Sequence, residues 1–189
     1  MKIGIQGGIG SFNEEAVNKY IKNNNLTDVE IVYLYTTDAV LKALQNNQID
    51  FGQFAIHNST GGVVWESVLA MGKYNFKVNQ QFAIKISHHL MCKKHLDIND
   101  INTIKSHPQV LKQCVDTLKK DYGNFKLTSG KGVYIDTARV AKDIEDDILP
   151  NNIATLGSKM MADVYNLKIL KSNLQDNKNN WTYFLIVAN

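Results

Sequence analysis

Two periodicities of apolar and polar positions divide the chain into short elements. Residues 2–6 (Lys-Ile-Gly-Ile-Gln) alternate as a strand and run into the turn Gly7-Gly8-Ile9-Gly10. Ser11-Phe12-Asn13-Glu14 has capping-box spacing, in which the serine hydroxyl accepts from the backbone N–H three residues on and the glutamate reaches back. A helix is therefore predicted over 12–23. Strands are predicted over 29–35 and 51–56, with helices over 38–47 and 63–71. Asn58-Ser59-Thr60-Gly61-Gly62 reads as a loop of polar donors and glycines. Residues 74–92 break the rhythm, because Tyr74 to Val78 and Gln81 to Met91 look like extended segments meeting back to back. The rhythm then resumes, with strands over 102–105, 125–128, 152–156, 167–170 and 183–187 and helices over 108–121, 137–146 and 157–164.

Alternating units of this size predict an α/β fold of mostly parallel sheets with helices on both faces. The extended middle and the last strand predict two lobes joined by crossing strands, residues 1–80 plus 182–189 and residues 81–181, with a cleft between lobes. Ligands in such sheets bind beyond the carboxyl ends of the strands. The polar loops 7–11, 57–62, 106–109, 129–137 and 157–158 all follow strands and are expected to converge on one rim. Several of them open helices, where unpaired backbone N–H groups favour an anion.

Composition narrows the class without choosing a function. A chain of 189 residues, 44% hydrophobic and 21% charged, can bury a sizeable core and is neither disordered nor fibrous. Its net charge of +3, on scattered lysines, gives no footprint for nucleic acid. No apolar run reaches the roughly 18 residues of a membrane span, and the start has no long apolar region of a signal peptide. Two cysteines, Cys92 and Cys114, give no disulfide framework, so a cytoplasmic protein is expected.

Familiar chemical motifs are missing. Gly7-Gly8-Ile9-Gly10 lacks dinucleotide-fingerprint spacing, and no Gly-Lys-Ser/Thr follows. His88, His89, Cys92 and His95 resemble a metal cluster, but in a strand His88 and Cys92 face away from His89, so no metal site is expected. Asp143, Glu145, Asp146 and Asp147 read as a solvated face. There is no nucleophile elbow and no oriented Cys/His pair. Hydroxyls, amides and backbone N–H groups remain, a set suited to binding a small anion without a cofactor.

The loops do resemble something specific. Gly7-Gly8-Ile9-Gly10-Ser11 with Glu14-Glu15-Ala16, Asp50-Phe51-Gly52 leading to His57-Asn58-Ser59-Thr60-x-Gly62, Ser106-His107-Pro108-Gln109 with Gln113-Cys114, Asp136-Thr137-Ala138, and the terminal Asn180-x-Thr182-Tyr183-Phe184 follow the order found in the catalytic domain of prephenate dehydratases. The resemblance implies a fold like that of type II periplasmic binding proteins, with prephenate in the cleft. It implies loss of the ring carboxylate as carbon dioxide and of the ring hydroxyl as water, leaving phenylpyruvate. It assigns Thr182 as the donor to the leaving hydroxyl, and Asn58, Ser59, Ser106, Gln109, Gln113 and Phe184 as substrate contacts. Gly7, Gly10 and Ser11 with the helix start at Thr137 would hold carboxylate oxygens. Were Ser106 to cap the helix over 108–121, Gln109 and Gln113 would share its face. The resemblance further implies homo-oligomers, dimeric or larger. A regulatory ACT domain, usual in the family, is not expected, nor feedback by phenylalanine through one.

Departures from the family pattern stand beside these matches. Tyr183 replaces the arginine of a Thr-Arg-Phe motif, exchanging a fixed charge and bidentate fork for a neutral phenol. His57 replaces the glutamate that usually precedes Asn-Ser, Gly8 a proline, and Asp136 a serine. Arg139, the only arginine, falls in the helix after Thr137, where a solvent-facing side chain is expected. Two rival readings stay open at this point: a non-aromatising prephenate decarboxylase-like enzyme, and a non-catalytic binding protein for an aromatic or keto-acid ligand.

Overall fold

A computed structural model of the chain describes residues 1–129 and 138–189 in full, with the backbone of Thr137. It divides into two compact units, Met1–Ile86 with Asn179–Asn189, and Ser87–Lys178. The divisions lie at 86/87 and 178/179, where the sequence reading set 80/81 and 181/182. The physical reason is pairing: Lys77–Lys85 runs as one strand against the last strand, and Ile86 N–H donates to the Asn180 carbonyl at 2.8 Å.

In the first unit, strands β1 (Lys2–Ile5), β2 (Glu30–Tyr33) and β3 (Phe51–Asn58) are parallel neighbours in the order β2-β1-β3. β4 (Gly62–Val63) folds back on β3, and β5 (Lys77–Lys85) and β11 (Trp181–Ala188) complete the sheet antiparallel, β11 lying between β3 and β5. Helix α1 (Phe12–Asn23) covers one face through Ala16 and Val17, packed with Ile3, Ile5, Ala55, Ile84 and Phe184. Helices α2 (Thr37–Gln45) and α3 (Trp65–Met71) cover the other, where Val40, Leu41, Leu44 and Ala70 meet Phe54, Leu185 and Val187. The approach of α2 is close enough that a Cβ on Gly52 would stand 2.7 Å from Val40 Cγ1.

The second unit repeats the plan with different connections. Strands β6 (His89–Lys93), β7 (Thr103–Lys105), β8 (Lys126–Thr128), β9 (Ile153–Gly157) and β10 (Leu167–Lys171) form a sheet in the order β10-β6-β9-β7-β8. Leu90 and Cys92 face one layer with Cys114 and Leu118, while Met91 faces helices α6 (Thr137–Glu145) and α7 (Lys159–Val164) through Val140, Ala141, Ile144, Met161 and Ala162.

Two expectations are corrected. The sheets are mixed rather than mostly parallel: β1–β3 and β7–β9 run parallel, but β4, β5 and β11 in one sheet and β6 and β10 in the other enter antiparallel. These include the strands nearest the two crossings of the chain, and the extended stretch around residue 86 splits into β5 and β6 of different sheets. The helix expected over 108–121 is also two helices, α4 (Pro108–Lys112) and α5 (Val115–Asp121). Asp176 holds the break open. Its N–H donates to the Gln113 carbonyl at 2.8 Å, and its carboxylate accepts from the N–H groups of Asp116 (3.0 Å) and Thr117 (2.8 Å) in the first turn of α5. A side chain remote in sequence thus supplies the cap. No described helix is long and apolar enough to cross a membrane.

Candidate functional site

In the first unit the structure brings Asn58 and Thr182 together as cross-strand partners of β3 and β11. Asn58 Nδ2 donates to Thr182 Oγ1 at 2.8 Å, to the Asn180 side-chain oxygen at 2.7 Å and to the Trp181 carbonyl at 3.2 Å. Its Oδ1 accepts from the N–H groups of Thr60 (2.9 Å) and Gly61 (2.7 Å), an Asx turn. Donors surround one end of this amide and acceptors the other, so the network fixes its orientation. Because Thr182 accepts through Oγ1, its own proton is directed away from Asn58.

A β-bulge makes this meeting possible. Tyr183 pairs with His57 but Phe184 with Ala55, so Ile56 is the extra residue. Strict alternation from Phe54 puts Asn58 on the α2 face; the extra residue returns it to the face of Ala55, Phe184 and Thr182.

The other expected residues of this unit are engaged locally. Ser59 Oγ donates to the Asn179 carbonyl (3.1 Å) and accepts from Trp181 N–H (2.8 Å), latching the loop to the start of β11. Phe184, expected at the substrate, is instead core: it is 1% exposed and stacks on Phe82 at 5.7 Å. Gly7 and Gly10 hold left-handed φ angles of +88° and +80°, which favour glycine. Their N–H groups, expected to face a ligand carboxylate, are taken: Gly7 donates to the Tyr35 carbonyl at 3.0 Å and Gly10 to Glu14 Oε2 at 2.6 Å. Glu14 also accepts from the Tyr33 hydroxyl. The protein's own buried carboxylate therefore sits where an anion was foreseen, while Ser11 caps α1 by accepting from Glu14 N–H at 3.3 Å.

In the second unit Ser106 is fully buried, its N–H on the Thr128 carbonyl and its hydroxyl donating to the Leu156 carbonyl at 3.1 Å. It does not cap the following helix. His107 does, its Nδ1 accepting from Gln109 N–H at 3.0 Å, with Pro108 at the first helical position. Gln109 is exposed, and Gln113, the last residue of that turn, is half-buried. Gln113 Oε1 meets His88 Nε2 at 2.9 Å, a contact that the spacing of the histidines does not reveal, because the two residues lie 25 positions apart. Residues 130–136, part of the expected loop 129–137, and the side chain of Thr137 lie outside the described residues. Arg139 is exposed and pairs with Asp143 at 2.8 Å.

Burial sets the electrostatics of the remaining candidates. It pushes the Cys92 thiol up to about 11 and the Cys114 thiol up to about 12, so both are protonated and unreactive at neutral pH. It holds the His88 and His89 imidazoles below their ordinary value, keeping both neutral. Among the described residues no group of three or more His, Cys, Asp or Glu is arranged to hold a metal ion.

Comparison with known proteins identifies the family. The chain is 31% identical over 182 residues to the bifunctional chorismate mutase/prephenate dehydratase of Buchnera aphidicola subsp. Schizaphis graminum, covering 96% of this chain and 46% of that protein. It spans about half the length of the first curated relatives it matches. The solved prephenate dehydratase of Arthrobacter aurescens, in complex with L-Phe, superposes with a TM-score of 0.86 at 20% identity, covering 100% of this chain and 60% of that one. A methionine-bound nutrient-binding protein of Burkholderia cenocepacia shares the α/β fold at a TM-score of 0.52 and 15% identity, covering 100% and 84% of the two chains, so the fold is of the periplasmic-binding type. The model of the prephenate dehydratase family matches residues 3–189, and the protein therefore belongs to that family.

Proposed function

We propose that this chain is a lyase that converts prephenate to phenylpyruvate. The bond between the ring and its carboxylate breaks, releasing carbon dioxide, and its electron pair enters the ring. The carbon–oxygen bond opposite breaks, and the departing hydroxide takes a proton to leave as water. Aromatisation drives the reaction, so the protein must bind a dianion, keep its departing carboxylate from water and donate to the leaving oxygen.

One observation carries this reading: Thr182 Oγ1 accepts from Asn58 at 2.8 Å within a network that fixes the Asn58 amide, leaving the hydroxyl proton to point elsewhere. A threonine so held is a preorganised donor. In this reading Thr182 is the catalytic residue, Asn58 orients it, and buried Asn180 anchors Asn58. Gln113 is the substrate contact assigned in the second unit, where Ser106 ties β7 to its neighbours. No cofactor is required. Self-association and a cytoplasmic location belong to the same proposal, the latter in keeping with two unpaired thiols.

The test mixes purified protein with prephenate and follows both substrate and product. Phenylpyruvate appearing as prephenate disappears supports the proposal. Consumption without an aromatic product makes the protein a decarboxylase instead, and binding by calorimetry without turnover makes it a binding protein. Sedimentation reads the state of association.

A further inference from the structure

The pairing of β3 with β11 runs one residue past Asn58 and Thr182. Ser59, the next residue, donates its N–H to the Trp181 carbonyl at 2.8 Å. In a regular antiparallel pair of this kind the two residues exchange both backbone bonds, so Trp181 N–H would meet the Ser59 carbonyl. It goes instead to Ser59 Oγ at 2.8 Å. A side-chain oxygen thus takes the part of a ladder carbonyl where the chain enters the Asx turn of Asn58. The same hydroxyl donates to the Asn179 carbonyl at 3.1 Å. Its two bonds therefore bracket Asn180, the buried residue whose side-chain oxygen accepts from Asn58 Nδ2 at 2.7 Å. From the β5 side, Ile86 N–H donates to the Asn180 carbonyl at 2.8 Å.

We propose that Ser59 is a positioning residue, whose hydroxyl holds residues 179–181 in register so that Asn180 sets the Asn58 amide and Asn58 sets the Thr182 hydroxyl. The role rests on the reading of Thr182 as the catalytic donor. A hydroxyl has one proton, and that of Ser59 is committed to Asn179, so Ser59 reaches the chemistry through the protein and not by donating to substrate. The clamp acts where a strand is weakest: Trp181 is the first residue of β11, and Asn179 precedes it. Without the hydroxyl, Trp181 N–H and the Asn179 carbonyl turn to water, and the backbone around Asn180 loosens. Asn58 then loses a fixed acceptor, and Thr182 samples orientations in which its proton misses the leaving oxygen. Turnover falls, while binding of the dianion changes little.

The test compares the wild type with Ser59→Ala, Ser59→Thr, Thr182→Val and the double variant Ser59→Ala/Thr182→Val, with prephenate as substrate. Ser59→Ala is expected to lower kcat about tenfold and to leave KM within about twofold of the wild type. Ser59→Thr keeps the hydroxyl and is expected to recover most of that loss. Thr182→Val removes the group through which Ser59 acts, so the double variant is expected to match Thr182→Val. A Ser59→Ala that raises KM with kcat unchanged marks a substrate contact and overturns the role. Losses that multiply in the double variant, or a Ser59→Thr as impaired as Ser59→Ala, overturn it as well. Should Ser59→Ala fail to fold, hydrogen exchange of the wild-type Trp181 amide decides: a protected amide supports the clamp, and exchange at the rate of a free amide overturns it. A wild type that neither binds nor consumes prephenate defeats the functional reading and this role with it, whereas an active wild type with multiplying losses defeats the role alone.

Discussion

Tyr183 and His57 face each other across β11 and β3, their ring centroids 5.8 Å apart and their planes tilted by 56°. Both are departures from the family pattern, a tyrosine for arginine and a histidine for glutamate, and the fold makes them partners on the face opposite Asn58 and Thr182. Tyr183→Arg alone sets a guanidinium against an imidazole instead of a carboxylate and removes the ring contact. We expect it to give no gain in kcat/KM and to cost about 0.5–1 kcal/mol of stability. The double variant His57→Glu/Tyr183→Arg is expected to regain that stability. Chemical unfolding of the two variants measures the difference.

Asp176→Ala removes the side-chain cap of α5. A loss of about 1–2 kcal/mol is expected in urea unfolding. Burial by itself pushes the Asp176 carboxyl up, but the N–H groups of Thr117 and Asp116, with the Thr117 side chain and the charge of Lys178, together outweigh it and hold the group below its ordinary value. Its contribution is therefore complete at neutral pH and fades as pH falls through the folded value, so the gap between wild type and variant should narrow in strong acid.

His88 gives a second pH dependence. Desolvation, helped by neighbouring His89, holds its imidazole below the ordinary value of 6.5, although the Gln113 contact works the other way. Below about 6.5 the unfolded chain binds a proton that the folded chain refuses. Stability is thus full above that pH and declines as the medium is acidified toward the folded value. His88→Gln should flatten this slope, as read from thermal unfolding between neutral and mildly acidic buffers.

Glu14 is a buried carboxylate with two donors, Gly10 N–H and the Tyr33 hydroxyl. Glu14→Ala is expected to cost about 2–3 kcal/mol and Glu14→Gln about half as much, since the amide retains one acceptor. Denaturant midpoints distinguish them.

Periodicity and capping chemistry made most of the elements legible. Ser11 does cap α1, and alternating segments became strands where the apolar pattern was clean, as at β1 and β3. What escaped depended on contacts remote in sequence. Nothing between 108 and 121 announces a break, because its cause is Asp176. Glu14 reaches past Ser11 to Gly10, so the glycine loop that read as an anion cradle is filled from within. The meeting of Asn58 with Thr182 depends on one extra residue in β3, which no two-residue alternation reveals. His88 was visible only as a histidine, since its partner lies 25 residues away.

The donor role of Thr182 is tested most directly by its hydroxyl. Phenylpyruvate formation from prephenate should be compared for wild type, Thr182→Ser and Thr182→Val at equal protein and saturating substrate. The account predicts that valine, equal in shape but without the hydroxyl, lowers kcat by about 100-fold or more, while serine stays within about tenfold of wild type. A valine variant that turns over at the wild-type rate would contradict it.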